Sequence, residues 1–151
     1  PKQVSDIGNS IPNTYVPGRN TIFLSIALAF AETRNADAIF TGVTAMDYSG
    51  YPDCRPEYIR AFQKLADLAT KKTVTGQNIE IETPLINLNK AEIIKKGSKL
   101  NVPFEQTWSC YNGRDKACGQ CDSCQLRLQG FQQVHIPDPL PYEILPDWYQ
   151  P

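Results

Sequence analysis

Apolar positions set the element plan before any chemistry is considered. Over residues 20–34, Ile22, Phe23, Leu24, Ile26, Leu28 and Phe30 fall on every side of a helix that Asn20 can cap. A helix apolar all round is expected to be buried. Residues 36–43 (ADAIFTGV) form a short apolar run with Gly42 near its end, the signature of a buried parallel strand. A polar loop over 44–55 leads to Pro56, suited to the first position of a helix. That helix carries Tyr58, Ile59, Phe62, Leu65, Ala66 and Ala69 on one stripe. Residues 79–86 (IEIETPLI) alternate and predict a second strand. Asn89 and Glu92 have the spacing of a capping box, opening a helix through Leu100. A short helix is expected over 125–128, residues 1–19 read as a loop, and a Pro-rich tail follows Phe131.

Helices alternating with strands predict an α/β fold, a parallel sheet wrapped by helices. Two strands alone make a sheet with little independent stability. The remaining strands are therefore expected in sequence outside these 151 residues, in line with a chain that starts at Pro1 rather than Met.

Charge and hydropathy narrow the function classes. Lys plus Arg number 15 and Asp plus Glu 16, for a net charge of −1, so there is no basic excess to grip a nucleic-acid backbone. The longest apolar stretch, 22–31, is broken by Ser25 and is about half of what a membrane span needs. No basic region precedes it as in a signal peptide. A cytoplasmic protein is the expectation. His135, the one histidine, is expected to face solvent.

Four of the five cysteines fall together as Cys110-x7-Cys118-x2-Cys121-x2-Cys124, and Cys54 stands alone. An odd total and x2 spacings suit a disulfide framework badly. Four thiolates suit a closed structural zinc site, with Gly119 permitting the turn and Gly113 in the longer loop. Asp122 and Ser123 are placed to support the ligands or cap the following helix, and Arg114, Lys116 and Arg127 to offset the charge of a tetrathiolate. An iron–sulfur cluster is a rival, although the fourth cysteine lies upstream and no Cys-Pro occurs. A redox CxxC would not need four cysteines.

The loop leaving the first strand, TGVTAMDYSGYPDCR at 41–55, gathers two carboxylates, two tyrosines, a thiol and an arginine. Ligands of open α/β sheets bind beyond the carboxyl ends of strands. Asp47 or Asp53 could accept from a ring N–H and an exocyclic amine, Tyr48 or Tyr51 could stack, and Arg55 could clamp a carboxylate or phosphate. Arg19, at a helix N-terminus, is placed to meet anionic oxygens. An ordinary surface loop is the plain alternative.

The motifs IPNTYVPGRN at 11–20, TGV with DYSGYPDCR at 41–55, ETPL with NKAEI at 82–93, and CYNG with CGQCDSCQLR at 110–127 occur in one order. Together they resemble the 7-cyano-7-deazaguanine synthase family of the queuosine pathway over residues 9–131. The resemblance implies a doubly wound parallel-sheet core of the PP-loop (adenine nucleotide alpha-hydrolase-like) type, with a zinc module on Cys110, Cys118, Cys121 and Cys124. It implies an ATP-dependent ligase that turns 7-carboxy-7-deazaguanine and ammonia into the nitrile, with magnesium accompanying ATP. On that reading Asp47, Tyr51, Asp53 and Arg55 bind the substrate and Arg19 binds the nucleotide.

The implied division is 1–105 for the C-terminal part of the nucleotide-binding core, 106–131 for the zinc module and 132–151 for an acidic tail outside the resemblance. Family members open on an SGGxDS phosphate loop, which residues 1–151 lack. Residues 1–151 alone are therefore expected to be inactive. Partners are expected to be the deazapurine, ammonia and ATP, with no nucleic acid and no membrane; a homodimer is left open. A related PP-loop enzyme acting on tRNA or another nucleobase, and a zinc-stapled scaffold without catalysis, are the rival readings.

Overall fold

The computed structural model describes residues 11, 14–45, 50–112 and 115–150. They fall into two compact units, one within Asn9–Asn87 and one within Leu88–Pro151.

The first unit holds helix α1 (Arg19–Thr33), strand β1 (Ala38–Phe40), a 3-10 turn (Pro52–Cys54), helices α2 (Pro56–Ala69) and α3 (Lys71–Val74), and strand β2 (Glu80–Glu82). The two strands pair in parallel, Ile39 opposite Ile81. Parallel neighbours require a crossover, and α2 supplies it. Pro56 occupies the start of α2, whose buried stripe is Ile59, Phe62 and Ala66, while Leu65 and Ala69 of the expected stripe are exposed. Leu24, Leu28, Ala31, Val43, Cys54, Ile79 and Ile81 complete the core.

Three expectations for this unit need correction. Asn20 does not cap α1: the helix begins one residue earlier, behind Gly18 at φ 63°, and Asn20 lies in its first turn. Nor is α1 buried all round. Leu24, Leu28 and Ala31 face the core, whereas Ile22, Phe23, Ile26 and Phe30 are each more than half exposed, because among the described residues only one side of the helix has neighbours. Both strands are three residues long rather than eight, and Phe40 is 72% exposed.

The two sheet edges differ. Gln63 of α2 covers the outer edge of β2, its Oε1 accepting from Ile81 N at 2.7 Å and its Nε2 donating to Ile79 O at 3.1 Å. One side chain thereby satisfies a donor and an acceptor that a further strand would take. No described residue pairs with the outer edge of β1. The turn into β1 is tied by the buried Lys72, whose Nζ donates to Ala36 O at 2.8 Å and Asp37 Oδ1 at 2.7 Å.

The second unit is helical. Helix α4 (Lys90–Lys99) opens on the expected capping box, with Glu92 N donating to Asn89 Oδ1 and Asn89 N to Glu92 Oε2, each at 2.9 Å. It packs on α5 (Asp122–Gln133), where Gly130 lets Ile94 and Lys90 approach. Helix α5 is longer than the expected 125–128, and neither Asp122 nor Ser123 caps it: Cys121 is the N-cap residue and Asp122 sits in the first turn. His135 is exposed, as expected.

Candidate metal centre and substrate cavity

Beyond the carboxyl end of β1, residues 41–44 meet the N-terminus of α1 and the loop before α2 around a cavity of about 300 Å³. Arg19, Asn20, Tyr51 and Cys54 complete its lining. The Arg19 guanidinium lies 5.8 Å from the centroid of the Tyr51 ring, so a cation and an aromatic face share one wall. Tyr51 is further set by stacking on Tyr15 at 6.2 Å and by a 2.7 Å hydrogen bond between its hydroxyl and that of Thr14. A planar, anionic heterocycle is the ligand class that such a wall suits.

The other loop residues divide. Asp53 is buried, and its Oδ2 accepts from Asn20 N at 2.9 Å. Arg55 is exposed, does not line the cavity, and stands 4.0 Å from Glu57. Asp47 and Tyr48 lie outside the described residues. Two contributors have no cavity role assigned from the sequence. Cys54 reaches the cavity wall, where burial and then the Asp53 charge push its thiol up. Asn20, expected as a helix cap, instead donates from Nδ2 to Asp53 O at 3.0 Å and Cys54 Sγ at 3.2 Å.

In the second unit Cys110, Cys118, Cys121 and Cys124 bring their sulfurs within 4.8 Å of one another, and Cys118 and Cys124 Sγ are 4.0 Å apart. Sulfurs about 2.3 Å from a shared zinc would stand ~3.8 Å apart, so the donor set fits that ion. Backbone amides already solvate the sulfurs: Asn112 N and Cys118 N each donate to Cys110 Sγ at 3.4 Å, and Cys121 N to Cys118 Sγ at 3.3 Å. Burial pushes the Cys118 thiol up, but hydrogen bonds from the Gln120 and Cys121 amides and from the Cys110 and Cys121 side chains together outweigh it and hold the group at about 7. Burial and the neighbouring Cys121 push Cys124 up. A cation that neutralises the cluster removes this mutual penalty.

The tail after Phe131 is part of this site's support. Ala117 N donates to Pro141 O at 2.9 Å and Glu143 N to Ala117 O at 2.8 Å, a parallel bridge beside Cys118. Gly119, at φ 73°, lies so close to the Ile144 carbonyl that a Cβ there would collide with it. Gln125 links Gly119 O, at 2.6 Å, to Trp148, whose indole N–H donates to Gln125 Oε1 at 3.2 Å. Arg127 does not serve as a counter-charge to the sulfurs. It spends Nε and Nη2 on Asp138, at 2.6 and 2.9 Å.

The family model for queuosine biosynthesis protein QueC matches residues 2–135. The chain belongs to the QueC family. Proteins named 7-cyano-7-deazaguanine synthase are among its relatives. That of Trichormus variabilis is 57% identical over 141 residues, covering 93% of this chain and 62% of the relative. The Thermoplasma volcanium protein is 53% identical over 148 residues, covering 98% and 61%, and the Saccharophagus degradans protein is 60% identical over 134, covering 87% and 60%. The chain thus spans about 60% of the length of these QueC relatives. A match over 98% of the chain also takes in the tail, which the sequence resemblance had left out.

Proposed function

We propose that the protein acts in the ATP-dependent conversion of 7-carboxy-7-deazaguanine and ammonia to 7-cyano-7-deazaguanine, and that the cavity beyond β1 receives the carboxylate-bearing base. One observation carries the reading: Arg19 and Tyr51 share a cavity wall at the strand end where α/β proteins bind ligands, in a chain of the QueC family. The α/β unit is read as part of a doubly wound PP-loop core.

Tyr51 offers a face for the base, and Arg19 offers charge to its carboxylate or to a phosphate of ATP. Asp53 acts through the loop it ties to α1, while Asp47 and Arg55 extend the same loop. ATP and magnesium are cosubstrate and counter-ion. Activation of the carboxylate by ATP releases pyrophosphate, ammonia displaces AMP to leave an amide, and a second activation allows its oxygen to depart, leaving the nitrile. The protein's share of such chemistry is orientation and charge stabilisation. Cys110, Cys118, Cys121 and Cys124 hold zinc, which braces the fold: four thiolates leave no coordination position for substrate. A net charge of −1 favours a small-molecule substrate over tRNA. A cytoplasmic setting belongs to the same reading.

Residues 1–151 contain no SGGxDS loop, so the test uses the full-length gene product. Supplied with 7-carboxy-7-deazaguanine, ammonium and magnesium ATP, it is expected to form the nitrile by mass spectrometry, in proportion to ATP consumed. Consumption of ATP without nitrile, or neither, would refute the reading.

A further inference from the structure

Asn20 makes a set of bonds that helix capping does not explain. Its backbone N–H donates to Asp53 Oδ2 at 2.9 Å, while its Nδ2 donates to Asp53 O at 3.0 Å and Cys54 Sγ at 3.2 Å. The residues joined stand 33 and 34 positions apart, and Asp53 and Cys54 are both buried. Arg19 precedes Asn20, and Tyr51 lies two residues before Asp53, so this junction connects the backbones that carry the cation and the aromatic face of the cavity. Asp53 Oδ2 also takes a donor of the first turn of α1, where Gly18 offers no capping side chain.

We infer that Asn20 is the positioning residue of the cavity: it latches the 51–54 turn to the start of α1, and so sets the spacing of Arg19 and Tyr51 that a carboxylate-bearing planar base requires. The inference rests on the proposed function for its ligand, though not for the latch. An alanine leaves the backbone bond to Asp53 intact and removes both Nδ2 hydrogen bonds, loosening the turn from the helix while Arg19 and Tyr51, the cation and the aromatic face of the wall, stay in place. Loss of such ordering appears in substrate capture, because a binding geometry no longer prepared must be paid for on binding.

Two measurements on the full-length, zinc-loaded protein separate the latch from its ligand. The first is iodoacetamide alkylation of Cys54, followed by peptide mass spectrometry with the cluster thiols occupied by zinc. Asn20→Ala is expected to raise the rate about tenfold over wild type, as a local opening no longer opposed by those bonds would. The second is steady-state kinetics: Asn20→Ala is expected to raise KM for 7-carboxy-7-deazaguanine about tenfold, with kcat and zinc content near wild type. If Asn20→Ala fails to fold, Asn20→Ser, too short to reach Asp53 O and Cys54 Sγ together, carries the same expectations. Faster alkylation in a protein whose wild type forms no nitrile supports the latch and refutes the proposed function. Unchanged alkylation, or an unchanged KM in an active enzyme, overturns the inference.

Discussion

Arg127 and Asp138 meet side on, Nε to Oδ2 at 2.6 Å and Nη2 to Oδ1 at 2.9 Å, with the carboxylate wholly buried and the guanidinium side chain 10% exposed. Both charges are satisfied elsewhere too. Arg127 donates to Thr107 Oγ1 at 2.8 Å, and Asp138 accepts from the Tyr142 hydroxyl at 2.7 Å and Leu140 N at 3.1 Å. The pair fastens the tail to α5, the helix that begins at the metal ligands.

Removing one partner leaves the other charge buried and unpaired. Asp138→Asn is therefore expected to destabilise the fold by about 3–5 kcal/mol in urea denaturation. Arg127→Met combined with Asp138→Leu should cost less than the sum of the single changes, since it strands no charge. Additive losses would show that the two side chains are not coupled.

The metal is expected at about one zinc per chain, with sulfur near 2.3 Å in X-ray absorption and no charge-transfer colour. Cys121→Ser should lower both zinc content and thermal stability, because metal binding and folding are coupled in such modules. Stoichiometric iron with acid-labile sulfide would replace zinc with a cluster in this account.

Gly119→Ala tests the contact between the metal loop and the tail. Gly119 needs a positive φ and has the Ile144 carbonyl in the place of a Cβ. The substitution is expected to cost ~1–3 kcal/mol and to expose the tail to limited proteolysis. A variant as stable and protease-resistant as wild type would mean that the tail does not hold this loop.

What was legible in the sequence was local. The Asn89–Glu92 box and the Pro56 start depend on residues within one turn, and both formed as expected. The four cysteines lie within 4.8 Å of one another: the x2 spacings keep Cys118, Cys121 and Cys124 close, and Cys110 joins them across the x7 loop. The partners of Asn20 and Arg127 were not legible, since Asp53 lies 33 residues away and Asp138 lies 11 residues away through an irregular tail. The exposed face of α1 departs from the expected burial for a related reason: an apolar pattern specifies what should be covered, not which residues cover it.

The tail also predicts a response to alkali. Burial, the hydrogen bond to Asp138 and that carboxylate's charge push the Tyr142 phenol up, and burial does the same for Tyr149. Unfolded tyrosine titrates near about 10, so above that pH the unfolded state binds fewer protons than the native state and stability falls. The Tyr142 phenol therefore lowers stability by up to ~1.4 kcal/mol per pH unit above pH ~10 and contributes no slope below it. In denaturation series across that range, Tyr142→Phe should show a shallower decline than wild type. Parallel profiles would place the alkaline sensitivity elsewhere.

The most direct test of the central claim is the affinity of the full-length protein for 7-carboxy-7-deazaguanine, by titration calorimetry on wild type, Tyr51→Ala and Arg19→Ala. A cavity wall built from a stacking face and a cation predicts about tenfold or greater loss in each variant, with zinc content unchanged. Wild-type affinity in both variants would contradict the assignment of this cavity to the substrate.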